Sequence, residues 1–262
     1  MTHVVSLLVA WAAAAVLMLV IWLVQRRTRN AGIVDLAWTL GIGACVAAFA
    51  WLGQGEPLRR ALVAGATGLW SLRLAWHLAR RLRREPEDGR YQALREWAGP
   101  RAELVLLAFF QVQAAWVVIF SLPQYIVAHN AAPLGWADVA AIGVLLISVI
   151  GESWADAQLA AFRRDERNRG QVCRVGWWRY SRHPNYFFEW LHWWAYPLMA
   201  IGAGGVGWLT LLGPALMLYF LLKVTGIPPT EARALRSRGE AYREYQRTTS
   251  AFFPWFPKEA TS

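Results

Sequence analysis

Seven apolar stretches, each about 20 residues long and so about the length needed to cross a bilayer as a helix, occupy most of this sequence. They run at 4–24, 32–52, 58–79, 102–122, 135–156, 185–201 and 205–224. Stretches of this length and apolarity read as transmembrane helices. The expected fold is an all-α, polytopic membrane helix bundle of about seven transmembrane helices. The connections leave no room for a separate soluble domain, and residues 1–262 read as a single integral-membrane domain. The first stretch lacks a basic n-region and is longer than the apolar core of a signal peptide, so it counts as a helix.

The formal net charge of +10 raises the question of nucleic-acid binding, and its placement answers it. Three arginines fall in 26–29, seven in 80–101 and seven in 158–183, and seven Lys/Arg fall in 223–262. That is 24 of the 27 basic residues. The intervening connections at 53–57, 123–134 and 202–204 have none. Alternation of this kind follows the positive-inside rule. It implies an outside N-terminus, a cytoplasmic C-terminus, and a basic face toward anionic lipid rather than a nucleic-acid surface. The expected location is a bacterial plasma membrane, with the bilayer itself as a partner. Cys45 lies within the second stretch and Cys173 in a cytoplasmic connection, poorly placed for a disulfide, and no Cys/His spacing resembles a metal site.

Two glycine and polar motifs need separate treatment. "GAGGVG" (202–207) fits G-x-G-x-x-G literally, but no strand precedes it, and a dinucleotide fold needs strand, turn and helix. A tight turn is the better reading. "RYSRHPNYFFEW" (179–190) places arginine, histidine, asparagine and glutamate at the mouth of an apolar stretch. Ionisable residues in hydrocarbon are costly unless paired or hydrated. Asp35, Arg73, His77, Glu152, Asp156, Glu189 and His192 all fall in the inner half of the expected bilayer. Arg73/His77 and Glu152/Asp156 each share a helix face at i, i+4. Structural ion pairs such as Asp35 with Arg73 would account for some of them. Glu103 reads as an interfacial residue, and the tail as one helix from a capping Thr230 to about Arg247. Together the inner-half groups suggest a cavity open to the cytoplasm, basic at its mouth and greasy within.

"RYSRHPNYFFEW", with "GESWADAQLAAF" (151–162) and "TGIPPTEARALRSRGEAYREYQRTTSAFFPWFP" (225–257), resembles the DUF1295 family and, through it, the steroid 5-alpha-reductase C-terminal-domain superfamily. "GIVDLAW" (32–38) and "EDGRY" (87–91) support the likeness. The resemblance implies an oxidoreductase that uses NADPH to saturate a conjugated carbon–carbon double bond in a lipid or sterol-like substrate. It implies that Asn185 and Glu189 meet the nicotinamide end of the cofactor. Arg163, Arg164, Arg174, Arg182 and Arg236 would handle ribose and phosphates, with His183, Tyr180, Tyr186, Tyr242 and Tyr245 among them. The acid groups of the steroid reductases have no matched position here, and Asp35, Arg73 and Tyr91 are taken in their place. The chain departs from the pattern at Phe188, where relatives carry glycine, so the pocket is rearranged or serves a different lipid.

Two other functions compete. A methyltransferase of the isoprenylcysteine carboxyl methyltransferase type shares Arg-His-Pro-x-Tyr but binds S-adenosylmethionine. The full Asn-Tyr-Phe run, the Phe-Phe-Pro ending and the lone Glu231 favour the reductase. A non-catalytic lipid-binding bundle would need no nucleotide.

Overall fold

The structure, a computed structural model, describes residues 3–258. Among them there is no strand. Helices form at His3–Thr28 (α1), Ile33–Leu52 (α2), Pro57–Arg84 (α3), Gly89–Ala98 (α4), Ala102–Ala128 (α5) and Trp136–Arg164 (α6). They continue at Pro184–Trp193 (α7), Ala195–Met199 (α8), Leu212–Tyr219 (α9), Ile227–Arg238 (α10) and Glu240–Thr248 (α11). All seven apolar stretches are therefore helical, and among the described residues five helical stretches are long and apolar enough to cross a membrane.

The third and sixth stretches fall short for different reasons. α3 carries Arg59, Arg60, Arg73 and His77 and ends in an arginine run, so its apolar residues form a stripe rather than a sleeve. The sixth stretch is interrupted at Trp194, between α7 and α8. At 1.5 Å per residue, the ten residues of α7 reach only about half of a hydrocarbon core of ~30 Å.

The chain packs as two compact units. The first comprises residues 1–133 and 202–209, the second 134–201 and 210–262.

In the first unit α2 packs against α3 and α5, and α1 against α5 and α2. Small residues set the approach: the Ser71 hydroxyl donates to the Thr39 carbonyl (2.8 Å), and a Cβ at Gly43 would lie 2.5 Å from that hydroxyl. The loop after α2 is stitched to the end of α5. Gly55 N–H donates to Ala128 O (3.0 Å) and Glu56 N–H to Asn130 O (3.0 Å). Arg59 is 1% exposed. Its guanidinium donates to the carbonyls of Asn130 (2.9 Å), Ala132 (2.8 Å) and Pro133 (3.3 Å). A buried charge is tolerable only with such partners. The glycine motif is a turn, with Gly202 (φ 91°) and Gly204 (φ 71°) in left-handed conformation, followed by a 3₁₀ stretch at Gly204–Leu211.

In the second unit α6 packs against α7 and α8, α7 against α9, and α10 against α11. The tail is two helices rather than one. Gly239 (φ 53°) breaks it, because that backbone conformation cannot continue a right-handed helix. Thr230 does not cap. α10 begins three residues earlier at Ile227, with proline in its first turn, and the Thr230 hydroxyl donates back to Gly226 O (2.8 Å).

Candidate functional site

In the first unit, Asp35 stands in the opening turn of α2. One carboxylate oxygen accepts the Tyr91 hydroxyl (2.6 Å) and the other accepts the Arg90 guanidinium (2.9 Å). Tyr91 is 3% exposed, so this bond occupies its only donor. Arg90 also lies over the Tyr91 ring, 5.3 Å from its centroid. The arrangement depends on α4, a short helix capped by Asp88, whose carboxylate accepts Arg90 N–H (2.9 Å). Asp88 further binds the Arg90 Nε (3.0 Å) and Arg81 (2.5 Å). Burial pushes the Asp88 carboxyl up, but the Arg90 hydrogen bonds and the Arg90 and Arg81 charges prevail and hold it down at about 2.

The expected Asp35–Arg73 pair is therefore replaced by Asp35–Arg90. Arg73 is half-buried on α3. The Asp35 carboxylate is claimed from α4, a helix inside a stretch that reads in the sequence as a connection. Glu103 is likewise more than an interfacial residue. It accepts from Gln25 (2.8 Å) and Arg95 (3.1 Å), while Arg95 also binds Glu87 (3.1 Å) and Gln25 (2.7 Å). Gln25, Glu87, Arg90 and Arg95 were the residues missed. The signal for them was Asp88-Gly-Arg-Tyr, a cap followed by a helix start.

In the second unit, Arg182 and His183 precede α7 and face the tail. Arg182 donates through Nε to Glu231 (2.7 Å) and through Nη1 to the carbonyls of Gln246 (3.0 Å) and Thr249 (2.5 Å). Glu231 also accepts from Gln246 (2.6 Å) and from His183 Nε2 (3.1 Å). Burial lowers the His183 pKa, and Glu231 offsets this only in part, so the ring is neutral and donates as the Nε2–H tautomer. Tyr242 is buried, and burial together with the nearby Glu231 charge raises its pKa. Tyr245, also buried, donates to the carbonyls of Trp178 and Ser181, and burial raises its pKa. Tyr180 accepts Trp255 N–H through its carbonyl (2.9 Å). These residues form a latch that ties the Arg-His-Pro loop to the tail.

The remaining predicted residues lie around the latch. Asn185 donates to Asp156 (3.1 Å). The Tyr186 hydroxyl meets that of Thr230 (3.1 Å) and its ring stacks on His183 (5.3 Å). Glu189 accepts from the Trp193 indole (3.4 Å). Arg174 pairs with Glu244 (3.4 Å) and lies over Tyr245. Arg163, exposed at the end of α6, feels the charges of Arg233, Arg238 and Asp156 together. Arg164 and Arg236 are exposed. Of these, Arg238 donates its Nε to Gln171 O (2.9 Å), while Arg163, Arg164, Arg233 and Arg236 form no ion pair among the described residues. Like charges stay close at a net cost unless an anion answers them. His192 is committed elsewhere, bonded to the Tyr196 hydroxyl (2.7 Å).

Phe188 is buried, and its ring lies against α6. A Cβ on Gly151 would fall 2.3 Å from it. The ring meets Trp177 edge-on at 5.1 Å.

No curated protein matches the chain. The family model described as protein of unknown function (DUF1295) matches residues 21–249. That match takes in the Asp35–Arg90 network, the exposed arginines and the latch alike, and the chain belongs to the DUF1295 family.

Proposed function

We propose that the chain is an integral-membrane, NADPH-dependent reductase that saturates a conjugated carbon–carbon double bond in a lipid or sterol-like substrate. In this reading all seven apolar segments enter the bilayer, the N-terminus lies outside, and the latch and the exposed arginines face the cytoplasm. The observation that carries the reading is the Asp156–Asn185 hydrogen bond (3.1 Å) in the same unit as Arg163, Arg164, Arg233 and Arg236, exposed arginines that form no ion pair among the described residues. NADPH presents a pyrophosphate and a 2′-phosphate, which suit guanidinium forks. S-adenosylmethionine carries no phosphate, and its one carboxylate sits beside sulfonium and ammonium cations, so it answers several guanidiniums less well.

Residue roles follow from the contacts. Arg163, Arg164, Arg233 and Arg236 take the phosphates. Arg182 does not, since its donors serve Glu231 and two carbonyls; it positions the loop. Asn185, oriented by Asp156, and Glu189 present amide and carboxylate to a carboxamide, which both donates and accepts. The bound cofactor supplies a hydride to the β-carbon of the enone. Negative charge then develops on the carbonyl oxygen and must be stabilised, and a proton must reach the α-carbon.

Binding tests this directly. NADPH should bind the protein in mild detergent, and in sealed vesicles only when the cytoplasmic face is outward. Loss of one charge-assisted contact, at about 1.5–3 kcal/mol, should weaken binding roughly 10- to 150-fold in Arg163→Ala and Asn185→Ala. Binding of S-adenosylmethionine without NADPH would replace this reading by the methyltransferase. NADPH binding unmoved by either substitution would remove the residue roles.

A further inference from the structure

A groove of about 630 Å³ runs beside the end of α1, and the reductase reading makes no use of it. Its apolar lining comes from Val20, Leu23 and Val24. With Arg27 these residues follow an i, i+3, i+4, i+7 spacing and share one helix face. The groove is therefore apolar along the helix and basic at its end, where Arg26, Arg27 and Arg29 join the lining.

The charges there are unevenly satisfied. Glu103 also borders the groove, but Gln25 and Arg95 already claim its carboxylate. Its approach to Arg26 is loose, at 3.9 Å. Arg26 instead lies over the Trp22 ring at 4.9 Å, and the Trp22 indole is pinned to the Glu103 carbonyl (3.0 Å). The guanidiniums of Arg27 and Arg29 have no partner among the described residues.

A second observation concerns the backbone. Arg29 closes α1 by donating its N–H to Gln25 O (2.7 Å), in left-handed conformation (φ 55°), and it is the only non-glycine residue with positive φ among those described. Glycine or asparagine normally fills that place at a helix end. An arginine there is strained, which points to a role for its side chain rather than its backbone.

We infer that this groove binds an anionic phospholipid, with the phosphate at Arg27 and Arg29 and an acyl chain along Val20, Leu23 and Val24. A phosphate answers the unpaired guanidiniums, and a hydrocarbon chain covers the apolar wall. The basic side of the protein meets the leaflet where such lipids are common.

Native mass spectrometry of the full chain tests the inference, using phosphatidylglycerol and phosphatidylcholine as probes in the same detergent. Wild type should retain phosphatidylglycerol at least about tenfold more than phosphatidylcholine. The variant R26Q/R27Q/R29Q should lose the preference, and R83Q/R84Q, which removes two arginines away from the groove, should keep it. Arg29→Gly separates binding from folding: it should weaken retention while leaving the melting temperature equal or higher. Equal retention of the two lipids would overturn the inference. So would a loss in R83Q/R84Q as large as in the triple variant, or an Arg29→Gly protein that retains lipid fully. Displacement of the lipid by millimolar inorganic phosphate would reduce the site to a free-anion site and overturn the lipid assignment.

Discussion

Arg182→Ala should destabilise the second unit by about 3–5 kcal/mol, the usual cost of stranding one partner of a buried ion pair. The side chains of Arg182 and Glu231 are only 11% and 14% exposed, so solvent can repair little of the loss. Three acceptors lose a donor at once: the Glu231 carboxylate, which keeps only the neutral donors Gln246 and His183, and the carbonyls of Gln246 and Thr249. Lysine should not rescue the variant, because a single ammonium cannot reproduce a planar fork aimed at three oxygens. The melting temperature in detergent should fall by roughly 10 °C or more. NADPH affinity of the folded fraction should stay within a few fold of wild type. A folded, stable Arg182→Ala protein with nucleotide affinity lost would return Arg182 to the phosphate site and remove the latch.

The latch also carries a pH dependence. His183 is neutral in the fold, with its pKa lowered from 6.5 by burial. Its contribution is complete above pH 6.5 and is lost as pH falls through the lower folded value, because the unfolded chain then binds the proton more readily. Stability should drop with acidification below pH 6.5. His183→Gln should remove that limb while costing stability at pH 7. An unchanged acid limb in the variant would assign it to other groups.

The apolar pattern carried the helices but not their partners. Seven stretches of spanning length read correctly as helical, because hydrocarbon leaves the backbone so few alternatives. Periodicity reports which face is buried, not which distant residue meets it. Asp35 stands out in the sequence as a charge in an apolar stretch, yet its partner Arg90 comes from α4, a ten-residue amphipathic helix too short to stand out against the basic residues around it. Arg182 illustrates the same limit. The sequence placed it beside a polar helix mouth, where a phosphate and a carboxylate are equally good acceptors. Only the fold shows Glu231 arriving from 49 residues away. The two-helix tail was concealed because Gly239 sits inside an otherwise unbroken polar run, and glycine within a helical pattern is tolerated as often as it breaks one.

Gly151→Ala should cost about 1–3 kcal/mol, the range for overpacking a filled core, although alanine is the better helix former. The new Cβ would lie 2.3–2.6 Å from three atoms of the Phe188 ring, far inside contact distance. The ring has little freedom to withdraw, since it is 4% exposed and packs against Trp177 and Phe187. Phe188→Ala should cost more, about 3–5 kcal/mol, through the cavity it leaves. The two changes should not add. With the ring gone, a methyl at 151 partly refills the space, so Gly151→Ala/Phe188→Ala should be more stable than the sum of the single losses predicts, by about 1 kcal/mol or more. This coupling gives the departure at Phe188 a physical meaning. On α7 this chain places bulk at position 188, and the close approach is provided by Gly151 on α6. Thermal melts of the four proteins in one detergent decide the matter. Additive losses would mean that Phe188 is held by its other neighbours, and that Gly151 is a glycine for some other reason.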